Sequence, residues 1–257
     1  MRLLLVGIAF LACIANARAF DHSHAQWNGL LQKHVGPISG GKASQVRYDG
    51  MARDRIALKG YLESLSGTKE EDFNAWTRPQ RMAFLINAYN AFTVELILSS
   101  YPVKSIKDIG GVLDNRWQRK FFGLFGRPAS LDQVEHGMLR KPGTYDEPRV
   151  HFALNCASIG CPMLREEVYV AERLERQLEE QTERFLSDRS RNHFANGRLE
   201  VSKIFDWYKE DFAPRERWFA KYAKLLSDDP VQQKLIVEGR APILFLDYDW
   251  TLNDARQ

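Results

Sequence analysis

The sequence predicts an α+β fold: a single globular domain, mostly helical, with a small antiparallel sheet. Three observations carry this. Long stretches place apolar residues at helical spacing behind recognisable caps. Strand-like runs are few and short, and one of them turns at Asn196-Gly197, a dipeptide suited to a two-residue hairpin. No linker, internal repeat or low-complexity tract interrupts the sequence, so the elements are expected to share one domain.

The opening MRLLLVGIAFLACIANARAF has a positive Arg2, an apolar run from Leu3 to Ile14, and the small-x-small triplet Ala17-Arg18-Ala19. It reads as a signal peptide over residues 1–19, because the run is too short to cross a bilayer. Cleavage near Ala19 implies a secreted or periplasmic protein. Only Cys156 and Cys161 would survive it, in an oxidising compartment. Without Arg2 and Arg18, 34 basic side chains face 33 acidic ones. That balance offers no electrostatic case for nucleic acid. No later segment reads as a membrane span, and no cofactor is expected.

Residues 20–74 read as an N-terminal helical segment. Residues 20–50 look irregular, with a turn-rich GPISGGKASQ, and His22, His24 and His34 are expected at the surface. A helix over Arg53–Leu65 is expected from Ile56, Leu58, Leu62 and Leu65. TRPQRMAFLINAYNAFTVELILSS carries the strongest helix signal. Thr77 and Gln80 form a capping box, Pro79 sits in the first turn, and Met82, Leu85, Tyr89, Phe92 and Leu96 make one stripe. The helix is apolar nearly all round, so its Asn87 and Asn90 need partners. They either tie neighbouring loops or point into a site.

Short strands are expected near Phe121–Phe125. Ser130 and Gln133 then cap a helix with Leu131, Val134 and Met138 inward, Glu135 beside them, and His136 able to pair with Asp132. Val150–Cys156 reads as a buried strand with His151, Ala153 and Asn155 on one face and Cys156 on the other. A long amphipathic helix over Glu166–Asp188 follows, then the Asn196-Gly197 hairpin and an aromatic-rich helix from Ser202. Helices near Arg215–Leu226 and Pro230–Glu238, the latter stopped by Gly239, lead to a last strand in PILFLDYDW.

That strand runs into Asp247, Asp249 and Thr251, which resemble the nucleophile motif of haloacid-dehalogenase-like phosphatases. Only six residues follow Thr251, too few for the parallel sheet that chemistry needs, so the phosphatase reading is set aside. Asp247 or Asp249 could instead orient a histidine.

RVHFALNCASIGCP concentrates the chemistry. Cys156 and Cys161 are spaced for a short disulfide loop. They are also spaced for catalysis: Pro162 would open a helix with Cys161 at its N-cap, which lowers a thiol pKa. His151 would then serve as base, with Asp249 or Glu135 as orienter. A metal site lacks a fourth ligand at suitable spacing, so no metal is assigned.

Five stretches taken together resemble one family: FLINAYNAFTVELI, SLDQVEHGMLR, PRVHFALNCASIGCP, SKIFDWYKEDF and LDYDWTLN. They look like the Domain of Unknown Function 547 (DUF547) family, as an exported bacterial member, with the domain over residues 75–253. The resemblance implies no catalytic residues, because the family is named for lacking a function. His before Cys is more like circularly permuted relatives of papain and transglutaminase folds. The leading expectation is a cysteine-dependent hydrolase or acyl transferase with Cys161 or Cys156 as nucleophile, acting on a small-molecule, peptide or cell-envelope substrate. Asn87, Asn90 and Asn155 are candidate binding residues. The alternative is a non-catalytic binding or scaffold module stapled by a Cys156–Cys161 disulfide. A redox role for the pair is a third reading.

Overall fold

The computed structural model describes residues 19–111 and 115–256; the signal-peptide reading, up to Arg18, lies outside them. The protein is 48% helical and 11% strand, a single α+β unit. Its N-terminal part is more regular than the sequence suggests. Helix α1 (Ala25–His34) buries Trp27, Leu30, Leu31 and His34, a stripe at helical spacing. A hairpin of β1 (Val35–Ile38) and β2 (Ala43–Val46) follows, then α2 (Tyr48–Arg53), α3 (Arg55–Ser66) and α4 (Glu70–Ala75). His24 and His34 are buried rather than exposed, each bonded to a partner from α3 or its approach: Tyr61 for His24, Asp54 for His34. Ile56, expected inside, points to solvent; Leu58, Leu62 and Leu65 form the buried stripe together with Tyr61.

Helix α5 (Arg78–Leu98) is the axis of the main core. It starts at the expected box, with Gln80 N donating to Thr77 Oγ1 and Thr77 N to Gln80 Oε1. Its whole central stretch is buried, because α3 and α2 cover one side and the segments that carry the site cover the other. A small hairpin, β3 (Phe122–Leu124) and β4 (Arg127–Ala129), precedes Ser130, whose capping box with Gln133 also forms. The turn it caps is π-helical over Gln133–Leu139, a wider coil often found at functional sites.

The expected strand over Val150–Cys156 is not a strand. Val150–Ala153 is one helical turn, α6, and the backbone then runs irregularly to both cysteines. A short apolar run does not distinguish a strand from a buried helical turn. Here Arg149, bonded to Glu147, Glu175 and Glu179, fixes the helical start. Helix α7 (Leu174–Leu186) buries Leu174, Leu178, Thr182 and Phe185, as its amphipathic pattern requires.

A second, aromatic core gathers Phe152, Phe185, Phe205, Phe212 and Phe219. It is enclosed by β5 (His193–Ala195), β6 (Arg198–Val201), α8 (Ile204–Trp207), α9 (Arg215–Lys221), α10 (Ala223–Leu226), α11 (Pro230–Val237) and β7 (Ile243–Phe245). The Asn196-Gly197 turn has both residues at positive φ, 52° and 74°, as a tight hairpin demands. The sheets are not wholly antiparallel: β6 pairs antiparallel with β5 and parallel with β7.

After β7 the backbone turns back as a strap. Val46 N donates to Asn253 O (2.8 Å), Leu252 N to Lys104 O (2.8 Å), and Ile159 N to Thr251 O (2.8 Å). Gly160 N donates to Asp249 O at 2.8 Å, and a Cβ on Gly160 would meet that oxygen at 2.9 Å. Only glycine admits the strap this close. The cysteine loop is thus held between the strap and α5, at the junction of the two cores.

Candidate active site

Asparagine side chains fix the cysteine loop from below. Asn90 Nδ2 donates to Ala153 O (2.9 Å) and its Oδ1 accepts from Asn155 N (2.9 Å). Asn155 Nδ2 donates to Pro162 O (2.8 Å) and its Oδ1 accepts from Ala157 N (3.0 Å), closing the loop on itself. Asn87 does the same for Tyr169, with bonds of 2.7 and 3.1 Å. All three amides are buried and committed to backbone, so they act as ties.

No helix follows Pro162, so Cys161 is not an N-cap. The two thiols are free and touch, Sγ to Sγ 2.9 Å. Cys156 Sγ also contacts Tyr248 Oη (3.2 Å) and Ser158 Oγ (3.3 Å). The Cys161 hydrogen bond, aided by these hydroxyls, outweighs burial and holds the Cys156 thiol below its ordinary range. Burial, and then the neighbouring Cys156, push the Cys161 thiol well up. The pair is therefore asymmetric: Cys156, the more exposed of the two, gives up its proton before Cys161.

Cys156 opens onto a cleft of about 210 Å³ that also receives Cys161, Glu135 and His151. The helical turn of α6 is what brings His151 and Cys156 to one cavity; a regular strand would have turned them apart. His151 Nε2 bonds Asp211 Oδ2 at 2.6 Å, and its ring stacks on Tyr208 with centroids 3.9 Å apart. Burial lowers the His151 pKa against the pull of Asp211. Burial would raise Asp211, but bonds from His151 and from Arg140 (2.6 and 3.1 Å) hold it far below the usual carboxylate range. An ionised Asp211 requires the proton of neutral His151 to sit on Nε2. Nδ1 is then an acceptor, and it faces Glu135 Oε1 at 4.0 Å.

Of the residues proposed from sequence, the structure gathers Cys156, Cys161, His151 and Glu135. Asp249 is elsewhere. Its Oδ1 accepts from Thr251 N (2.9 Å), and with Asp247 it lines a separate cavity beside Gly160. Asp211 takes the orienting place instead. Asp211 lies in SKIFDWYKEDF, where the aromatic density draws attention to packing. Tyr248 lies between Asp247 and Asp249, past the end of β7, and its side chain lines both the cavity beside Gly160 and the cleft. His136 pairs with Asp132 at 3.6 Å, as its spacing suggests.

Residues 73–186 match the model of a family described as "Protein of unknown function, DUF547". This stretch contains α5, the π-helical turn, His151 and both cysteines. No curated protein and no solved structure matches it. Within the matched segment lie Cys156, Cys161, His151 and Glu135. Tyr208, Asp211 and Tyr248 come later in the sequence, so the cleft is closed by residues that follow the matched segment. Among the described residues no helix is long and apolar enough to cross a membrane.

Proposed function

We propose that the protein is an exported thiol-dependent hydrolase or acyl transferase with Cys156 as its nucleophile. The observation that carries this is the asymmetric thiol pair in a cleft shared with a carboxylate-oriented histidine. His151 Nδ1 would take the Cys156 thiol proton, and the thiolate would attack an acyl carbon, forming a thioester as the leaving group departs with that proton. His151 Nδ1 would next take a proton from water or an acceptor alcohol or amine, whose oxygen or nitrogen displaces the Cys156 thiolate. Asp211 would stay ionised throughout and hold the imidazole. Export is supported by the apolar leader and the Ala17-Arg18-Ala19 site. Reacting the reduced protein with a p-nitrophenyl acyl ester tests the reading. A burst of p-nitrophenol with one acyl group weighed on Cys156 is expected; acylation that persists in Cys156→Ser would end it.

The 2.9 Å approach of the sulfurs favours a second reading, a binding module stapled by a Cys156–Cys161 disulfide. A displacement of about 1 Å would bring them to bonding distance. Such a staple would abolish the nucleophile, and the thiol status of the exported protein separates the two.

A further inference from the structure

We infer that the cleft binds a cationic ammonium group, seated against the indoles of Trp207 and Trp250 and paired with the Glu135 carboxylate. This deepens the enzyme reading by naming its substrate class, although the binding step does not depend on that chemistry.

Three independent features converge. First, one wall is aromatic. Tyr248 and Trp250 have ring centroids 4.6 Å apart, Trp207 lies 4.8 Å from Tyr248 and 5.7 Å from Trp250, and Trp117 backs Trp250 at 5.7 Å. Trp207 is 43% exposed, an unusual cost for the largest apolar side chain unless its face is used. Second, the charged lining is acidic: Asp132 and Glu135 line the cleft, and among the described residues no Lys or Arg does. Arg140, which reaches the same region, is committed to Asp211 and to the face of Tyr208. Third, the Glu135 side chain is only 9% exposed, and the basic atom facing it is His151 Nδ1 at 4.0 Å, on a ring that burial keeps neutral.

Arg140 acts on Glu135 from its place on Asp211, but among the described residues no Lys or Arg pairs with it within 4.0 Å, and a buried carboxylate without a close cation is costly. A ligand cation would relieve it, and indole faces add to the attraction of an ammonium whose hydration is weak. The molecule already shows the second contact: Lys107 Nζ sits 4.2 Å from the Trp250 ring centroid. A neutral sugar could stack on the same rings, but it would bring Glu135 no close cation, which is why the cation is preferred.

Binding is read by tryptophan fluorescence in full-length Cys156→Ser, titrated with tetramethylammonium chloride against tert-butanol, a neutral near-isostere, at constant ionic strength. Saturable binding of the cation, at least about fivefold tighter than the alcohol, is expected. Glu135→Gln should erase that preference. Trp207→Ala, at an exposed position, should weaken the cation several-fold without unfolding the protein. Equal binding of both probes, no saturable signal with either, or a preference that survives Glu135→Gln would overturn the inference. The enzyme reading is judged separately, by wild-type turnover of acetylcholine and its neutral isostere 3,3-dimethylbutyl acetate. Ammonium binding with no turnover of either ester sinks the enzyme and leaves this site standing. Turnover of both at equal kcat/KM does the reverse.

Discussion

His34 and His151 each bond a carboxylate through Nε2 at 2.6 Å, in different halves of the molecule. The pairs differ in what surrounds them. Around His34 the partner Asp54 is shared with Lys33, the ring is packed against Gly50, and Nδ1 is buried without a partner. Nothing reactive adjoins it. His151 instead turns Nδ1 toward Glu135 and opens onto the cleft that holds both thiols. A His–Asp bond is therefore not a site by itself. What makes the second pair a candidate is a cavity, a thiol with a lowered pKa and a carboxylate on the free side of the ring.

Mutation should separate the two pairs. Cys156→Ser should abolish acyl transfer, by about three orders of magnitude or more in kcat/KM, since it removes the group that forms the bond. Asp211→Asn would permit the wrong imidazole tautomer and should cost about 10²–10⁴ in kcat. The matching Asp54→Asn should leave kinetics unchanged, and equal losses in both variants would erase the distinction. Asn90→Ala should leave Ala153 O and Asn155 N without partners and lower stability by about 2–4 kcal/mol in urea melts. The Cys156 thiol should then label faster and less selectively as the loop loosens.

Acid should act through a third histidine. Burial drives the His24 pKa down to about 3, with His22 adding to the effect. The unfolded state binds the proton near pH 6.5 while the folded state does not, so stability is intact above pH 6.5 and falls as pH drops toward 3. The slope should approach about 1.4 kcal/mol per pH unit for this one group, and His24→Gln should remove that share. His151 contributes in the same direction. An unchanged slope in His24→Gln would contradict the assignment. The smallest effect is expected from Asp249→Asn, which should leave activity unaltered, because the carboxylate caps its own turn outside the cleft.

Local chemistry was the legible part of the fold. The boxes at Thr77/Gln80 and Ser130/Gln133, the turn at Asn196-Gly197 and the stop at Gly239 all lie where short-range patterns put them. Helix α1 was obscured by the turn-rich stretch that follows, although Trp27, Leu30, Leu31 and His34 repeat at helical spacing. The α6 turn was misread as a strand because a short apolar run carries no period. In the site, Glu135, His151 and the cysteines stand out by residue type. Asp211 does not, for its bond to His151 spans 60 residues and depends on how the segment after α8 lies over α6. The cysteine roles also waited for tertiary structure, since Tyr248 and Ser158 help decide which sulfur loses its proton first.

The most direct test of the central claim is thiol status. The protein would be purified from the exported fraction without reductant, alkylated at pH 6 before and after unfolding, and the peptide from Arg149 to Arg165 weighed. A free Cys156 that labels in the native state, with Cys161 labelling only after unfolding, is the predicted result. Both sulfurs bridged and resistant to reduction, or Cys161 labelling first, would contradict the account.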